Sequence, residues 1–239
     1  MKRALVTGGS GGIGAAICRR LAADCHHVVV HANSGLDRAQ AVVNDIQAAG
    51  GSAEAVAFDI TDREATQAAL EALLTNGPIQ ILVNNAGIHE DAVFPGMNGG
   101  QWDRVVDVSL NGFFNVTQPL TMPMMRTRWG RIISITSVAA VTGNRGQVNY
   151  AAAKGALHAA SKSLALELAS RGVTVNAVAP GIIATGMIEG AFKAEAIKKI
   201  VPMQRAGQPE EVANLVAFLA SDQAAYISGQ VISINGGMI

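Results

Sequence analysis

The chain has no net charge, few charged residues and no long apolar segment. It contains 239 residues with 18 basic and 18 acidic side chains, and 15% of its residues are charged. Affinity for nucleic acids depends on clustered Lys and Arg, so this balance predicts neither a nucleic acid nor an acidic membrane surface as a partner, although it is compatible with a local basic patch. No apolar stretch approaches the ~18 residues needed to cross a bilayer. We therefore expect no membrane-spanning segment. The sequence also gives no residues that we assign to a metal site.

Cysteine is also scarce, with Cys18 and Cys25 as the two examples. Both are predicted to lie in one helix, where two helical turns hold their Cα atoms too far apart for a disulfide. The simplest prediction is that both are buried as small apolar side chains. The start at Met1–Val6 has some features of a signal peptide, but Thr7–Gly9 interrupts its apolar run after three residues. We expect a protein of the reducing cytoplasm.

Short β-branched segments alternate with helical patterns along the chain, without a break in composition that would mark a linker. Continuous Val, Ile and Leu runs, rather than alternating ones, indicate strands buried on both faces of a parallel sheet. We predict one α/β domain over residues 1–239, a doubly wound (Rossmann) fold with a seven-stranded parallel sheet and helices on both faces. The predicted strands are Ala4–Thr7, His27–His31, Ala53–Asp59, Ile79–Asn84, Arg131–Ser137, Thr174–Ala179 and Gln230–Asn235.

Glycine is abundant, with 26 residues, and five of them lie between positions 8 and 14. The segment Thr7–Gly14 follows the first predicted strand and opens a helix. In that position, free backbone N–H groups and the positive end of the helix dipole can bind a pyrophosphate. A flexible turn is the alternative, but the strand before and the helix after favour a dinucleotide-binding loop.

The end of the second predicted strand bears on the choice of dinucleotide. NAD-binding proteins carry an acid about 20 residues after the glycine loop, where it holds the ribose 2′-hydroxyl. Here the segment reads His31-Ala32-Asn33-Ser34 and has no carboxylate. Asn33, Ser34 and Arg38 can donate hydrogen bonds to a 2′-phosphate instead. The sequence favours NADP(H) over NAD(H); a polar surface loop that tolerates either cofactor is the alternative.

Tyr150 and Lys154 lie one helical turn apart, so their side chains point to the same face. A nearby ammonium favours the phenolate and lowers the tyrosine pKa from its usual ~10, which suits acid–base catalysis. Ser137 ends the strand that precedes this helix, at the edge of the sheet where ligands bind. Asn111 lies in the helical segment before that strand, and a polar residue that bends the helix is its alternative interpretation.

These motifs, in this order and spacing, resemble the short-chain dehydrogenase/reductase family over practically the whole chain. Within the family, the sequence is most similar to the 3-oxoacyl-acyl-carrier-protein reductases, especially in Gly143–Tyr150 and Ala169–Asn176. The matching motifs are Thr7–Gly14, Asn84–Gly87, Asn111, Ser137, Tyr150–Lys154, Pro180–Thr185 and Asn235–Gly237.

The resemblance implies roles for these residues. Tyr150 would protonate the nascent alkoxide, and Lys154 would hold the nicotinamide ribose and lower the Tyr150 pKa. Ser137 would polarise the ketone, and Asn111 would anchor a water of the proton relay. The implied cofactor-binding residues are Thr7, Gly8, Ser10, Gly11, Gly12, Ile13, Gly14, Asn33, Ser34, Asp59, Ile60, Asn85, Ala86, Gly87, Tyr150, Lys154, Pro180, Gly181, Ile183 and Thr185.

The implied reaction is the NADPH-dependent reduction of the 3-keto group of 3-oxoacyl thioesters, on acyl carrier protein or coenzyme A, in fatty-acid or related biosynthesis. Two alternatives stay open: a short-chain dehydrogenase for another secondary alcohol, working with NAD(H), and a dinucleotide-binding regulatory protein without turnover. A sensor needs the glycine loop but not the proton relay, so the intact set of Asn111, Ser137, Tyr150 and Lys154 argues against the regulatory protein.

On the substrate side, Arg128 and Arg171 match arginines that the resemblance implies for docking an acidic carrier protein, with ordinary solvated arginines as the alternative. Arg126 and Arg131 are predicted to join them in a basic patch. Asn144 and Gln147 are implied to contact the substrate. Residues 186–207, which include Met187, resemble the family's mobile substrate lid.

Two departures from the family pattern qualify these expectations. Gly11 stands where many NADPH-using members carry an arginine, so one expected contact to the 2′-phosphate is missing. Pro119 and Pro123 interrupt the apolar segment Phe113–Met125, where relatives have a continuous helix between subunits. An interior proline costs ~3 kcal/mol unless the helix kinks or breaks. We predict a distorted helix here, and the homotetramer that the resemblance implies is correspondingly less certain.

Overall fold

The computed structural model describes residues 1–185 and 194–239. These residues contain seven strands, which form one parallel sheet. The strand order is β3-β2-β1-β4-β5-β6-β7, and every neighbouring pair is parallel. The predicted fold and all seven predicted strands are confirmed. The strands are β1 Arg3–Val6, β2 His27–Ala32, β3 Ser52–Ala57, β4 Ile81–Asn84, β5 Gly130–Ile135, β6 Val173–Pro180 and β7 Val231–Ile234.

Helices cover both faces of this sheet because successive strand residues point to opposite sides. The helices in the described residues are α1 Gly12–Ala23, α2 Leu36–Ala48, α3 Arg63–Leu74, α4 Gly99–Val106, α5 Gly112–Thr127, α6 Ala139–Thr142, α7 Val148–Leu168, α8 Ala194–Ile200 and α9 Pro209–Ala220. In β1, Ala4 and Val6 join a buried cluster with α1, α2 and α9, whereas Leu5 joins a second cluster with α3, α5 and α7. None of these helices combines the length and the apolar character that crossing a membrane requires.

Helix α5 continues through Pro119 and Pro123, so the prolines do not break the helix, and the distortion expected there stays a prediction. Val116, Leu120 and Met124 are fully buried on the side of the helix that faces the sheet. Burial of such side chains contributes roughly 1.5–3 kcal/mol each, which offsets the hydrogen bonds that the prolines remove. The irregular backbone lies before α5 instead, in a π-helical turn at Asp107–Asn111.

The prediction for the cysteines is half correct. Cys18 lies in α1 and is fully buried, as expected. Cys25 is exposed, because α1 already ends at Ala23 and Cys25 adopts a left-handed conformation (φ 64°) in the turn that leads to β2. Both thiols are free.

Candidate active site

A groove of about 910 Å³ runs along the carboxyl ends of the strands. Most of the residues predicted to bind cofactor or substrate line it, and this edge is where ligands bind in doubly wound sheets. Those residues are Gly8, Ser10, Gly11, Gly12, Ile13, Gly14, Asn33, Asp59, Ile60, Asn85, Ala86, Gly87, Ser137, Asn144, Gln147, Tyr150, Lys154, Pro180, Gly181, Ile183 and Thr185. Thr7 lies buried beneath the groove, Ser34 lies outside its lining, and Met187 falls outside the described residues.

The glycine loop is packed so closely that side chains are excluded at specific positions. A Cβ on Gly14 would overlap the carbonyl oxygen of Gly8 and lie 2.6 Å from Nδ2 of Asn85. A Cβ on Gly12 would lie 2.7 Å from Cγ2 of Thr185. The N-cap residue of α1 is Gly11, which has no side chain to cap the first N–H groups. These N–H groups lie at the end of α1 that lines the groove, so the loop can bind the pyrophosphate of a dinucleotide.

Thr7 joins the glycine loop to the segment after β4. Its hydroxyl accepts hydrogen bonds from the backbone N–H groups of Asn85 and Ala86, at 3.0 Å each. The Asn85 side chain donates in return to the backbone oxygens of Thr7 and Gly8, also at 3.0 Å. Thr7 is 2% exposed, so water cannot replace these contacts. Thr7, which was predicted to bind the cofactor, therefore lies beneath the glycine loop and stabilises its conformation.

Replacing Thr7 with Val is expected to lower the free energy of unfolding by about 2 kcal/mol or more, because two buried N–H groups lose their acceptor. The Thr7→Ser variant keeps the hydroxyl and is the matched control, for which we expect a smaller loss. Urea unfolding monitored by circular dichroism measures both. Equal stability of the Val variant and the wild type would contradict the proposed contacts.

Ser137 and Tyr150 form the centre of the site. The backbone N–H of Ala139 donates to the Ser137 hydroxyl oxygen at 3.1 Å, which leaves the Ser137 proton free to be donated. Ser137 also hydrogen-bonds Tyr150, and this contact lowers the Tyr150 pKa. Burial outweighs it and raises the pKa above the usual range, with a smaller contribution in the same direction from Asp91. Tyr150 consequently holds its proton at neutral pH.

Lys154 is buried one helical turn from Tyr150. Its ammonium donates to the backbone oxygen of Ile135 at 3.0 Å and lies 6.0 Å from the centroid of the Tyr150 ring. A Cβ on Gly87 would lie 2.9 Å from Nζ, so a glycine at this position makes room for the ammonium. Burial lowers the pKa of Lys154 to about 8. The resemblance implied that Lys154 lowers the pKa of Tyr150. In this structure the burial of Tyr150 has the largest effect, and the pKa of Tyr150 is raised instead.

Asn111 is not brought to the groove. It is exposed at the end of the π-helical turn, and its amide donates to Oδ1 of Asp107 at 2.7 Å. The buried residue of this turn is Ser109, whose hydroxyl has no partner among the described residues. The extra residue of a π-turn shifts which side chains face inward. Because Asn111 does not line the groove, we do not carry the relay role implied for it into the proposed function.

The Asn111→Ala variant is therefore expected to keep kcat/KM within about twofold of the wild type, as exposed substitutions usually change free energies by less than about 0.5 kcal/mol. Steady-state kinetics of cofactor oxidation measure this. A loss of activity comparable to that of a Tyr150 variant would show that Asn111 does reach the reacting atoms.

At the adenosine end, Asn33 and Arg38 line the groove just after β2. Asp59 also lines it and accepts hydrogen bonds from the N–H and the hydroxyl of Thr61, both at 2.8 Å. Sequence reasoning missed His31, which lines the groove although it is 1% exposed. The sequence did contain a signal for this role, because His31 ends a predicted buried strand immediately before the segment assigned to the cofactor.

On the substrate side, Asn144 and Gln147 form part of a polar chain. The Asn144 amide donates to Oε1 of Gln147 at 2.9 Å, and the Gln147 amide donates to both carboxylate oxygens of Asp91 at 3.0 and 3.1 Å. His89 approaches the same carboxylate at 3.3 Å. Asp91 fixes the orientation of Gln147 and was not predicted, because no sequence pattern connects positions 91 and 147.

The arginines assigned to carrier docking lie at the other edge of the sheet. Arg128 follows α5 and donates to the backbone oxygen of Ser170 at 3.2 Å, beside Arg171. Strands β5 and β6 begin immediately after these two arginines, whereas the groove lies where the strands end. Arg131 does not belong to this patch: it is 2% exposed and stacks on Trp129, at 4.2 Å from the ring centroid.

A glycine loop at the start of α1, a Ser–Tyr–Lys group and a groove at the carboxyl edge of a parallel sheet together define a dinucleotide-dependent oxidoreductase. The chain matches the short chain dehydrogenase family over residues 2–196 and belongs to that family. It is an NAD(P)-dependent enzyme whose cofactor is a nicotinamide dinucleotide.

Several relatives cover nearly the full chain. The sequence is 44% identical over 236 residues to a 3-oxoacyl-acyl-carrier-protein reductase of Aggregatibacter actinomycetemcomitans, covering 98% of both chains. It is 44% identical over 241 residues to a protein of the same name from Staphylococcus aureus, covering 99% of this chain and 98% of the relative. It is also 43% identical over 240 residues to nodulation protein G of Azospirillum brasilense, with coverage of 99% and 98%.

Proposed function

We propose that this enzyme reduces the 3-keto group of 3-oxoacyl thioesters with NADPH, and that its substrates are carried by acyl carrier protein. The names of its relatives support the substrate class. The observation that carries the chemistry is the hydrogen-bonded pair of Ser137 and Tyr150 in the groove, because burial raises the pKa of Tyr150 and its phenol keeps a proton to donate.

The catalytic residues have separate tasks in this proposal. When bound, a reduced nicotinamide supplies the hydride that adds to the keto carbon. The Ser137 hydroxyl donates a hydrogen bond to the keto oxygen, and Tyr150 transfers its phenolic proton to that oxygen as negative charge develops there. The buried Lys154 ammonium holds the ribose hydroxyls and keeps a positive charge beside the site. Gln147, oriented by Asp91, contacts the thioester side of the substrate.

The rate of reduction is expected to fall as the pH rises through about 8, the pKa of Lys154. Burial disfavours the ammonium, so Lys154 loses its proton at a lower pH than an exposed lysine does. Tyr150 is still protonated there, because its own pKa is raised. A profile of kcat/KM between about pH 6 and pH 10 measures the decline. In Lys154→Arg the side chain keeps its charge, and the alkaline decline should disappear; an unchanged decline would assign it to another group.

The preference for NADPH over NADH is part of this proposal. Asn33 and Arg38 line the groove where a 2′-phosphate would lie, and no carboxylate in the His31–Ser34 segment repels it. Space is open around Gly11, where an added Cβ would meet nothing closer than the Gly8 carbonyl oxygen at 4.0 Å. We therefore expect Gly11→Arg to add a phosphate contact and to increase the ratio of kcat/KM for NADPH over NADH. A wild-type preference for NADH would overturn the cofactor proposal.

The substrate is tested by following NADPH and NADH oxidation with acetoacetyl thioesters of acyl carrier protein and coenzyme A, and with ketones derived from polyols. Tyr150→Phe serves as the control for enzyme-catalysed turnover. Oxidation with the thioesters supports the proposal. Turnover restricted to the polyol-derived ketones would instead indicate a dehydrogenase for another secondary alcohol, and binding without any turnover would indicate a regulatory protein.

Carrier docking at Arg128 and Arg171 is a separate part of the proposal. Strand β6 spans eight residues between that edge and the groove, roughly 25 Å at ~3.3 Å per residue. A carrier bound there would lie that far from the groove of its own chain, and in the homotetramer that the resemblance implies it could serve the groove of a neighbouring chain instead. Replacing both arginines with Glu should raise KM for the carrier-bound substrate and leave KM for the coenzyme A thioester unchanged. If the double variant keeps the wild-type KM for the carrier-bound substrate, these two arginines do not take part in docking.

A further inference from the structure

His31 connects two segments of the groove through its two ring nitrogens. The backbone N–H of Gly8 donates to Nδ1 at 3.2 Å, and Nε2 lies 2.8 Å from the backbone oxygen of Phe58. The backbone oxygen of His31 also accepts from the N–H of Gly9 at 2.8 Å. Gly8 and Gly9 begin the glycine loop, and Phe58 precedes the Asp59–Ile60 segment that lines the adenosine end.

These partners allow one protonation state of the ring. The Gly8 N–H can only donate, so Nδ1 must be without a proton. The Phe58 carbonyl can only accept, so Nε2 must carry one. Protonation of Nδ1 would direct its N–H at the N–H of Gly8 and remove this hydrogen bond. The neutral ring with hydrogen on Nε2 satisfies both contacts.

The surroundings of His31 favour this neutral ring. The side chain is almost fully buried, and its ring packs against that of Phe58 with the centroids 4.3 Å apart. Burial lowers the His31 pKa, and its contact with Phe58 and the charge of Asp59 only partly oppose this. On the same face of the sheet, Leu5 of β1 and Leu70 of α3 belong to a buried apolar cluster, and the buried Thr7 and Thr66 carry no charge. Arg38, after β2, is the other charged group that lines this end of the groove.

We propose that His31 is a positioning residue for the dinucleotide, and that its protonation in acidic solution weakens cofactor binding. The proposal rests on dinucleotide binding in the groove. In the neutral state, the ring holds the glycine loop at the spacing from the end of β3 that the adenosine half of the cofactor requires. Loss of the Gly8 contact loosens the loop, which Asn85 and the backbone oxygen of His31 still hold. Ser137 follows β5 and Tyr150 lies in α7, so both are unaffected. The effect should therefore appear in cofactor affinity and not in kcat.

The test is the Kd for NADPH between about pH 5 and pH 8, measured by cofactor fluorescence. His31→Asn places Oδ1 near the position of Nδ1, accepts from Gly8 and cannot be protonated. His31→Gln places an N–H near Nε2, keeps the Phe58 contact and loses the Gly8 contact. We expect wild-type affinity to fall, relative to His31→Asn, by up to about tenfold per pH unit once His31 is protonated. His31→Gln should bind weakly at every pH.

The control is His27→Asn, at the other end of the same strand, which should keep the wild-type profile. Titration of the cofactor's own 2′-phosphate is common to all variants, so it cancels when affinities are compared at each pH. NMR of the wild-type histidine side chains provides a measurement that needs no variant, and it should show hydrogen on Nε2 of His31 at neutral pH.

Two outcomes would overturn the inference: an acid profile of His31→Asn identical to that of the wild type, or an NMR signal for hydrogen on Nδ1. Absence of NADPH and NADH binding by the wild type at neutral pH would be a different failure, that of the proposed function. If the acid limb appears in kcat instead of Kd, His31 does not act through cofactor binding.

Discussion

Replacing Tyr150 with Phe is expected to lower kcat for reduction of a 3-oxoacyl thioester by roughly 10²- to 10⁴-fold, the usual contribution of a positioned general acid. The variant removes one hydroxyl and keeps the ring, so packing in α7 should be preserved. The remaining Ser137 hydroxyl and Lys154 ammonium still stabilise charge on the keto oxygen, but neither is in place to deliver a proton as readily. Pre-steady-state oxidation of NADPH measures the hydride step directly.

Cofactor affinity distinguishes a catalytic loss from a damaged site in this experiment. The Kd for NADPH should stay close to the wild-type value, because Lys154 keeps its contact with Ile135 in the variant. Ser137→Ala is the companion variant, and it should reduce kcat through loss of a hydrogen bond to the substrate. Full activity of Tyr150→Phe would exclude the proposed proton donor.

Replacing Gly14 with Ala is expected to weaken dinucleotide binding by roughly 5- to 150-fold, which corresponds to the roughly 1–3 kcal/mol typical of an overpacked site. The added Cβ would overlap the Gly8 carbonyl oxygen and lie 2.6 Å from Nδ2 of Asn85. Backbone cannot move aside as a flexible side chain can, so the loop or the start of α1 must shift. The Kd for NADPH and the melting temperature should both change.

Gly11→Ala is the matched control in the same loop. Its Cβ would meet nothing closer than 4.0 Å, and Gly11 has an ordinary extended backbone with φ −109°. We expect this variant to bind NADPH as the wild type does. Similar losses in both variants would show that the whole loop, and not the contact at Gly14, is intolerant of side chains.

The sequence predicted those features that depend on local pattern or on motif order. Apolar runs located each strand, and the glycine loop and Ser137, Tyr150 and Lys154 all reach the predicted edge of the sheet. Asn111, whose role the resemblance alone implied, lies outside the groove lining, at the end of a π-turn that inserts an additional residue into the helix. A pattern of side chains does not reveal where that insertion falls.

Other features depend on contacts between distant parts of the chain. His31 and Phe58 are 27 positions apart, and Gln147 and Asp91 are 56 apart. Arg131 looked like a surface arginine, but Trp129 covers it and Asp222, 91 positions later, approaches its guanidinium at 3.4 Å. Such pairings arise from the arrangement of the strands, so a single sequence did not suffice to predict them.

The strand order has a consequence for how this protein can diversify. The sheet grows outward in one direction from β1 through β2 and β3, and in the other from β4 through β7. The first branch, within residues 1–57, carries Asn33 and His31, while Ser137 and Tyr150 belong to the second. In the proposed function, the residues that would set nucleotide preference and those that would act on the keto group therefore lie in consecutive lengths of chain. Exchange of residues 1–57 between relatives would then change the cofactor preference and retain the residues that act on the keto group.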